Sequence, residues 1–339
     1  MSGSHRRAPR GSLRLLSVLA TLGLGLATAP AHAAPPPAPR DAASASAQVG
    51  PQIVDIDAKL GYQSALGAGT GIVIDGGGVV LTNNHVVAGA TDLTARSIGN
   101  GQTYPASVIG YDRQHDIAVL QLAGGGLPSA NIGNSDTVRV GEPIVSLGNA
   151  GGAGGAPAVE VGTVSAVNQT VSANDALTGS TETLNGLIQL DANIRPGDSG
   201  GPTVNSANQV IGMNTAASQN YHLGRGQGFA IPINEAMAIA GQIRSGASSP
   251  TVHIGPSAFL GVGVNDAPGG AIVRQVIPTG PAAGAGINVG DVISSINGQP
   301  VNSATALTNI LDQHHPGDGV DVGLGGRNTN VTLAGGPPG

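Results

Sequence analysis

The sequence contains no cysteine and no tryptophan, and aromatic residues make up only 2% of it. The absence of cysteine excludes disulfides and thiolate metal sites, so a folded form must rely on packing and backbone hydrogen bonds. Charged residues are scarce at 10%, whereas glycine is abundant, with 56 residues among 339. This composition favours short strands joined by many turns, in a chain long enough for two domains.

Positive charge is also in short supply. The formal net charge is −6, and the first 33 residues carry four arginines and no acidic residue. Without that segment, ten basic residues face twenty acidic ones. An acidic chain with no basic stripe is a poor nucleic-acid binder, so we expect no nucleic-acid partner.

The N-terminus has the three parts of a secretion signal. Arg6, Arg7, Arg10 and Arg14 form the positive region, Leu13 to Leu26 is the mainly apolar run, and Ala31-His32-Ala33 is a small-x-small cleavage site. We predict a signal peptide over residues 1–33 and a secreted or extracytoplasmic protein. An uncleaved membrane anchor is the alternative, although the apolar run is short for a membrane span. The Arg6-Arg7 pair leaves twin-arginine export open.

Changes in composition and in the spacing of apolar residues divide the rest of the chain into four segments. Residues 34–47 read as a flexible leader, residues 48–245 as one β-rich domain ending in a helix, residues 246–256 as a linker, and residues 257–334 as a second β-rich domain. Helical spacing predicts helices over Asn234–Arg244 and Ser303–His314. We expect the last strand pair, near Gly323–Asn328, to be abbreviated. The predicted strands of the first domain are Thr70–Ile74, Val79–Thr82, Ile117–Leu122, Pro143–Leu147, Gly162–Val167 and Val210–Asn214.

Three segments carry catalytic chemistry together. Ser199 lies between glycines in Gly197-Asp198-Ser199-Gly200-Gly201-Pro202, which suits an exposed nucleophile on a tight turn with backbone N–H groups available to an oxyanion. His85 ends an apolar strand and can take and return the serine proton. Asp116 begins a strand that we expect to be buried, where its carboxylate would orient the imidazole. The order His, Asp, Ser along the chain strengthens all three assignments.

Other interpretations of these motifs were weighed. Gly197-x-Ser199-x-Gly201 also fits the nucleophile elbow of α/β-hydrolases, including lipases and esterases, but that fold needs helical periods before the serine and the other two residues after it. Asp112 and His115 are near neighbours of Asp116 and could replace members of the triad. The consecutive pair His314-His315 does not face one site on a helix, so we predict no metal site.

With these motifs, the sequence resembles the HtrA/DegP family of trypsin-like serine proteases with a PDZ domain, and among them the secreted actinobacterial members. The segments Val73–Val87, Gly110–Leu122, Asn185–Val204 and Gly226–Ile254 carry the resemblance. It implies a mainly β fold, with a chymotrypsin-like double β-barrel followed by a PDZ domain. It also implies a serine endopeptidase without a cofactor, in which His85, Asp116 and Ser199 are catalytic.

The resemblance assigns further residues. The backbone N–H groups of Gly197 and Ser199 would form the oxyanion hole. Asn193 stands where enzymes selecting Arg or Lys carry an Asp, so we expect cleavage after small aliphatic residues. The substrate pocket would involve Ile194, Asn214, Thr215 and Ala216. In the second domain, Phe259-Leu260-Gly261-Val262 resembles the loop that holds a peptide C-terminus in PDZ domains.

The expected partners are unfolded or damaged polypeptides as substrates and peptide C-termini at the PDZ domain. A homo-oligomer is left open, because Tyr62 is the one aromatic residue available where family members form trimers. The competing hypothesis is a non-proteolytic chaperone or peptide-binding module that keeps only the fold. An intact triad disfavours it, since binding alone does not need a serine opposite a base.

Overall fold

The computed structural model describes residues 42–174, 181–215 and 227–339, without the side chains of residues 173, 174, 181 and 182. The predicted signal peptide lies outside these residues, as does most of the predicted leader. The last six leader residues belong to helix α1 (Ala42–Val49), in which Ala45 and Val49 are buried. This part of the leader is therefore helical and packed, and the expectation of flexibility was wrong for it. Short 3₁₀ turns occur at Gly50–Gln52, Ser135–Thr137 and Ala150–Gly152.

Six antiparallel strands close into a first barrel in the order β5-β4-β1-β2-β3-β6, with β6 pairing back to β5. The sequence explains the strands, since β-branched and aliphatic residues alternate between Gly-rich turns. One turn, Asp75-Gly76-Gly77-Gly78, joins β2 to β3, and the one-turn helix α2 (Asn84–Val87) follows β3. The strands are β1 (Ile53–Leu60), β2 (Ala65–Asp75), β3 (Val79–Thr82), β4 (Asp92–Ser97), β5 (Thr103–Asp112) and β6 (Ile117–Leu122).

A second closed barrel has the order β10-β11-β12-β9-β8-β7. Helix α3 (Ile233–Arg244) follows it and buries Ala236, Ala240 and Ile243 on one face, as the helical spacing predicts. The largest core cluster draws on both barrels, so the boundary between them is itself packed. The strands are β7 (Pro143–Gly148), β8 (Ala158–Asn174), β9 (Thr181–Asp191), β10 (Pro202–Val204), β11 (Val210–Thr215) and β12 (Gly228–Pro232).

The predicted linker contains a strand, β13 (Val252–Ile254), which pairs with β5 and extends the first barrel's sheet. Its central residue, His253, is buried and stacks on Tyr111 of β5 and on His315, with ring centroids 5.1 Å apart in both pairs. The segment between the two domains is thus partly ordered by pairing, and the prediction of a plain linker was wrong at these three residues.

The C-terminal region has its own sheet, in the order β15-β16-β17-β19-β20, and its own core cluster. β19 and β20 pair over six residues each, so the expected abbreviation near Gly323–Asn328 was wrong. β18 pairs with β17, and β14 pairs with β21. The elements are β14 (Ser257–Phe259), β15 (Val262–Ala267), β16 (Gly270–Val276), α4 (Pro281–Gly284), β17 (Val292–Ile296), β18 (Gln299–Pro300), α5 (Ala304–Leu311), β19 (Gly319–Leu324), β20 (Arg327–Thr332) and β21 (Ala334–Gly336).

Candidate active site

His85 and Asp116 meet at the end of a strand pair in the first barrel. β3 and β6 are antiparallel neighbours, with Thr82 opposite Ala118, so the residues that follow β3 lie beside those that precede β6. His85 Nδ1 lies 2.9 Å from Asp116 Oδ2 and 3.0 Å from Oδ1. The backbone N–H of His85 also donates to Asp116 Oδ1 at 3.0 Å. The carboxylate therefore fixes both the ring and the main chain of the histidine.

Asp116 is held from several sides. It is buried, with 3% exposure, and has the left-handed backbone angle φ 55°. Thr215 Oγ1 donates to its Oδ2 at 3.2 Å, and Asn83 Nδ2 donates to its backbone carbonyl at 3.0 Å. The Thr215 hydroxyl and the His85 bonds satisfy the buried carboxylate and hold it against the imidazole, while Asn83 fixes the Asp116 main chain.

The alternatives Asp112 and His115 form a separate pair. His115 Nδ1 lies 2.8 Å from Asp112 Oδ2, and this carboxylate oxygen also accepts a hydrogen bond from Thr251 Oγ1 at 2.9 Å. The Asp112 carboxylate thus bonds to Thr251, which directly precedes β13, and to His115 in its own turn. The structure brings Asp116, and not Asp112, to His85.

Ser199 lies in a loop of the second barrel whose peptide groups are anchored one by one. The Pro196 carbonyl accepts from Gly151 N–H at 2.7 Å, and the Asp198 carbonyl accepts from Gly201 N–H at 3.0 Å. The N–H and C=O of a trans peptide point in opposite directions. The N–H groups of Gly197 and Ser199 therefore point away from these anchors. Gly197 adopts φ 96°, which glycine tolerates and other residues rarely do.

The Ser199 loop packs directly on the strand that leads to His85. A Cβ atom added at Gly200 would overlap both the Thr70 carbonyl oxygen and the Thr82 hydroxyl oxygen. Thr82 is three residues before His85, and Ser199 is one residue before Gly200. The loop that carries the serine thus lies against the end of β3, at the boundary of the two barrels.

Asp198, next to Ser199, is a buried carboxylate with incomplete hydrogen bonding. Its Oδ2 accepts from the backbone N–H of Arg195 at 2.9 Å, whereas among the described residues its Oδ1 has no hydrogen-bond partner. Burial raises the pKa of Asp198 to about 6, against the opposing influence of Arg195, while Glu160 adds to the increase.

The four residues predicted to bind substrate have different surroundings. Ile194 is buried and packs against Gly228, where an added Cβ would collide with it. Asn214 is fully buried, with its amide donating to the Leu147 carbonyl at 3.1 Å and its oxygen accepting from Thr203 Oγ1 at 2.5 Å. The Asn214 side chain therefore joins β7 to β10, and the Asn214 backbone bonds to the Gly200 N–H and the Gly201 carbonyl at 2.9 and 2.7 Å. Thr215 contacts Asp116, and Ala216 lies outside the described residues.

The predicted peptide-binding loop lies at the edge of the C-terminal sheet. The carbonyls of Leu260 and Gly261 accept hydrogen bonds of 2.9 Å from Ala282 and Ile277, and Gly261 has φ 84°. Val262 begins β15, which is the terminal strand in the sheet order and contacts helix α5. Phe259 stacks on Tyr62 of the first barrel, so Tyr62 is engaged within the chain.

Residues 42–174, 181–215 and 227–339 contain no cluster of three or more metal-ligating side chains. No helix in this part of the chain has the length and apolar character of a membrane span.

Comparison with protein families gives two matches. The model described as "Trypsin-like peptidase domain" matches residues 69–213, and the model described as "PDZ domain" matches residues 258–334. The first match runs from β2 to β11 within the double barrel, and the second spans the C-terminal sheet. The chain belongs to the HtrA/DegP family. The fold class and the family expected from the sequence are confirmed.

Individual relatives agree with this assignment. "Serine protease PepD" of Mycobacterium tuberculosis is 36% identical over 311 residues, which are 85% of this chain and 65% of the relative. "Probable periplasmic serine endoprotease DegP-like" of Pseudomonas savastanoi pv. phaseolicola is 37% identical over 255 residues, 72% of this chain and 50% of the relative. The chain thus spans about half to two thirds of the length of these two relatives. The solved structure "HtrA-type protease AlgWS227A with tripeptide" has a TM-score of 0.53 and 28% identity, covering 88% of this chain and 99% of that one.

Sequence reasoning missed three contributors to the protease site. Thr215 was assigned to the substrate pocket, whereas its hydroxyl contacts Asp116. Asn83 directly precedes the helix with His85 and bonds to Asp116, but an asparagine in a turn has no distinctive signal. Thr70 contacts the Ser199 loop across the barrel boundary. Its side chain bonds to Gly197, which lies 127 residues later in the sequence. No local pattern could have found that contact.

Proposed function

We propose that this protein is a serine endopeptidase that uses His85, Asp116 and Ser199. Ser199 Oγ attacks the scissile carbonyl, His85 takes its proton and returns it to the leaving amine, and Asp116 orients and stabilises the imidazolium. The acyl-enzyme is then hydrolysed by water that His85 activates in the same way. The observation that carries the proposal is the buried Asp116 carboxylate on His85, at the strand end against which the Ser199 loop packs.

The oxyanion hole of the proposed reaction is formed by the N–H groups of Gly197 and Ser199. Their direction is supported by the anchored carbonyls of Pro196 and Asp198, each of which points to the other side of its peptide plane. Donors of this kind contribute about 3–4 kcal/mol each to transition-state stabilisation. No metal or cofactor enters this chemistry.

The proposed substrates are unfolded or damaged proteins outside the cytoplasm, cleaved after small aliphatic residues. Asn193 offers no negative charge to an Arg or Lys side chain of a substrate. The buried Ile194, next in the chain, would give the proposed substrate pocket an apolar lining. The signal-like N-terminus and the relatives named as periplasmic support an extracytoplasmic location.

The proposed activity is tested by digestion of β-casein with mass mapping of the cut sites, in parallel with labelling by a fluorophosphonate. We expect casein cleavage and labelling by the wild type, and neither by Ser199→Ala. A folded wild type that neither cleaves nor labels would favour the non-proteolytic binding module. Cuts that follow Arg or Lys as often as Val or Ala would refute the substrate preference.

The PDZ domain is proposed to bind peptide C-termini at Phe259-Leu260-Gly261-Val262, with the peptide added as a strand along β15. The unpaired edge of β15 among the described strands and the adjacent helix α5 support this mode. Binding of a fluorescent peptide ending in Val, compared with its C-terminally amidated form, tests the proposal. Equal affinity for both forms would refute capture of the carboxylate.

A further inference from the structure

Thr70, on β2 of the first barrel, is bonded to the Ser199 loop of the second barrel by both its main chain and its side chain. Its backbone N–H donates to the Ser199 carbonyl at 2.8 Å. Its hydroxyl donates to the Gly197 carbonyl at 2.8 Å and accepts from the Asn149 N–H at 2.9 Å. Thr70 is fully buried, so no water competes for these bonds.

These bonds alternate with the peptide groups proposed to bind the oxyanion. The N–H groups of Gly197 and Ser199 belong to the peptide planes that precede each residue, whereas Thr70 holds the carbonyls in the planes that follow each residue. The plane that carries the Ser199 N–H therefore lies between two planes fixed by Thr70. Rotation of that plane alone would break the bond between Gly201 N–H and the Asp198 carbonyl, and rotation of the segment as a whole would break the bonds to Thr70.

The hydroxyl of Thr70 is the stronger of two anchors on the Gly197 carbonyl. The other is the Asn149 N–H, at 3.3 Å, which shares its hydrogen with Thr70 Oγ1 at 2.9 Å. Loss of the hydroxyl would leave a buried carbonyl with one long bond and the Asn149 N–H without its nearer acceptor. Gly197, at φ 96°, has the backbone freedom to respond by rotation.

Thr70 is also connected to the segment that carries the base. Thr82 Oγ1 donates to the Thr70 carbonyl at 2.7 Å, and Thr82 precedes His85 by three residues on the same strand and turn. One residue thus joins the end of β3 to the nucleophile loop of the other barrel.

We propose that Thr70 is a positioning residue that holds the oxyanion-binding peptide groups of Gly197 and Ser199 in their reactive orientation from the opposite barrel. The proposal rests on the serine peptidase function proposed above. Thr70 is fully buried and acts through the carbonyls of Gly197 and Ser199, which separates its role from that of the triad.

The test compares Thr70→Val, which keeps the shape and loses the hydroxyl, with Thr70→Ser, which keeps the hydroxyl. Ser97→Ala is the matched control, because Ser97 is equally buried in the same barrel and its hydroxyl accepts from the backbone N–H of Asn100 in its own turn. Steady-state kinetics on a peptide substrate are referred to active sites titrated with a fluorophosphonate. Inhibition by a peptide aldehyde, whose adduct places an oxyanion in the hole, is measured on each variant.

For Thr70→Val we expect kcat to fall by about 10- to 100-fold, the effect of one buried hydrogen bond, with KM changed by less than about threefold. The aldehyde affinity should fall by the same factor as kcat/KM, because both depend on the oxyanion hole. Thr70→Ser should restore kcat to within about fivefold of the wild type. Ser97→Ala should keep full kcat whatever its melting temperature.

Several results would overturn the proposal: an unchanged kcat in folded Thr70→Val, a loss confined to KM, or an aldehyde affinity that does not follow kcat/KM. If Thr70→Val does not fold, Thr70→Ala provides the same comparison, and failure of both to fold would assign Thr70 a role in folding alone. Casein cleavage by Ser199→Ala would instead refute the proposed peptidase mechanism. That outcome is distinct from an inactive Ser199→Ala beside a fully active Thr70→Val.

Discussion

Tyr62 and Phe259 stack on one another, with ring centroids 5.1 Å apart and 12° between the ring planes. Tyr62 lies in the turn between β1 and β2 of the peptidase domain, and Phe259 is the first residue of the proposed peptide-binding loop of the PDZ domain. One contact therefore connects a surface turn of the protease to the loop proposed to receive a ligand.

Removal of this stack should weaken the association of the two domains. Stacked aromatic pairs contribute about 0.5–1.5 kcal/mol beyond their buried area, so a double-mutant cycle of Tyr62→Ala and Phe259→Ala in urea unfolding should give a coupling of about 1 kcal/mol. Leu66→Ala, in the following strand at 85% exposure, should change the free energy of unfolding by less than about 0.5 kcal/mol. Additive effects of the two aromatic substitutions would contradict a direct energetic contact.

Asp312, directly after α5, should be a second determinant of domain docking. It accepts a hydrogen bond from Tyr111 Oη at 2.8 Å and forms an ion pair with Arg113, both in the first barrel. Asp312→Ala leaves a mostly buried guanidinium unpaired, so we expect a loss of about 2–4 kcal/mol in unfolding free energy. Limited proteolysis should then cut within residues 246–256 at least tenfold faster. Gln313→Ala, at the exposed neighbour, should match the wild type, and an unchanged cleavage rate for Asp312→Ala would refute the docking role.

Much of the peptidase domain was predictable because its signals are local. The alternation and turn residues around β3 and β6 gave both strands with their observed bounds, and Asn234–Arg244 differs from α3 by one residue. Ser199 between glycines and His85 after an apolar strand were recognisable for the same reason. His85 and Asp116 lie side by side because both are at one end of adjacent strands.

What escaped prediction depends on contacts between distant segments. Nothing around Thr70 distinguishes it from other strand threonines, and its role depends on Gly197, 127 residues later. His253 was placed in a linker because its neighbours are Gly, Ser and Pro, yet packing between Tyr111 and His315 fixes it. Asn214 was assigned to the substrate pocket, yet its side chain is fully buried. Which side of a strand faces the barrel interior is decided by the closure of the barrel, which no local pattern shows.

Thr215 should support catalysis through Asp116. Its hydroxyl donates to Asp116 Oδ2 at 3.2 Å, on the oxygen that also contacts His85 Nδ1. Thr215→Val should lower kcat by about tenfold with little change in KM, whereas Asp116→Asn should lower it by about 10⁴-fold. Thr308→Val removes a comparable, half-buried hydroxyl bond in the PDZ helix and should leave kcat unchanged. A Thr215→Val enzyme with wild-type kcat would show that the contact does not matter for turnover.

Gly200 should tolerate no side chain. Its φ of 83° disfavours other residues, and a Cβ atom would overlap the Thr70 carbonyl. Gly200→Ala should therefore lose at least about 2 kcal/mol of stability and nearly all activity, measured by thermal melting and fluorophosphonate labelling. Gly284→Ala, in α4 with open space around it, should be neutral or stabilising by up to about 1 kcal/mol. A stable and active Gly200→Ala protein would be incompatible with the packed loop described above.

Asp55 should make the stability of the protein depend on pH. It is buried on β1, where burial raises its pKa to about 6; Asp57 adds to the increase, while the Gly155 N–H and Arg96 oppose it. The folded state therefore binds this proton more tightly than the unfolded chain does, so the stabilising contribution is complete below about pH 4 and is lost as the pH rises through about 6. Asp198 has a pKa raised in the same way and adds a second proton over the same range.

Urea unfolding of wild type and Asp55→Asn at several values between pH 4 and pH 7 measures this contribution. Each proton released on unfolding changes the unfolding free energy by at most about 1.4 kcal/mol per pH unit. Asp55→Asn should remove one of the two contributions and flatten the decline of the unfolding free energy with pH, because an amide does not titrate. The amide oxygen can still accept the bond that Gly155 N–H donates to Asp55 Oδ2 at 3.2 Å. Asp57→Asn, exposed on the same strand, should keep the decline but move it to lower pH, because it removes a charge that helps to raise the pKa of Asp55. Parallel curves for wild type and Asp55→Asn would show that Asp55 keeps an ordinary carboxyl pKa in the folded protein.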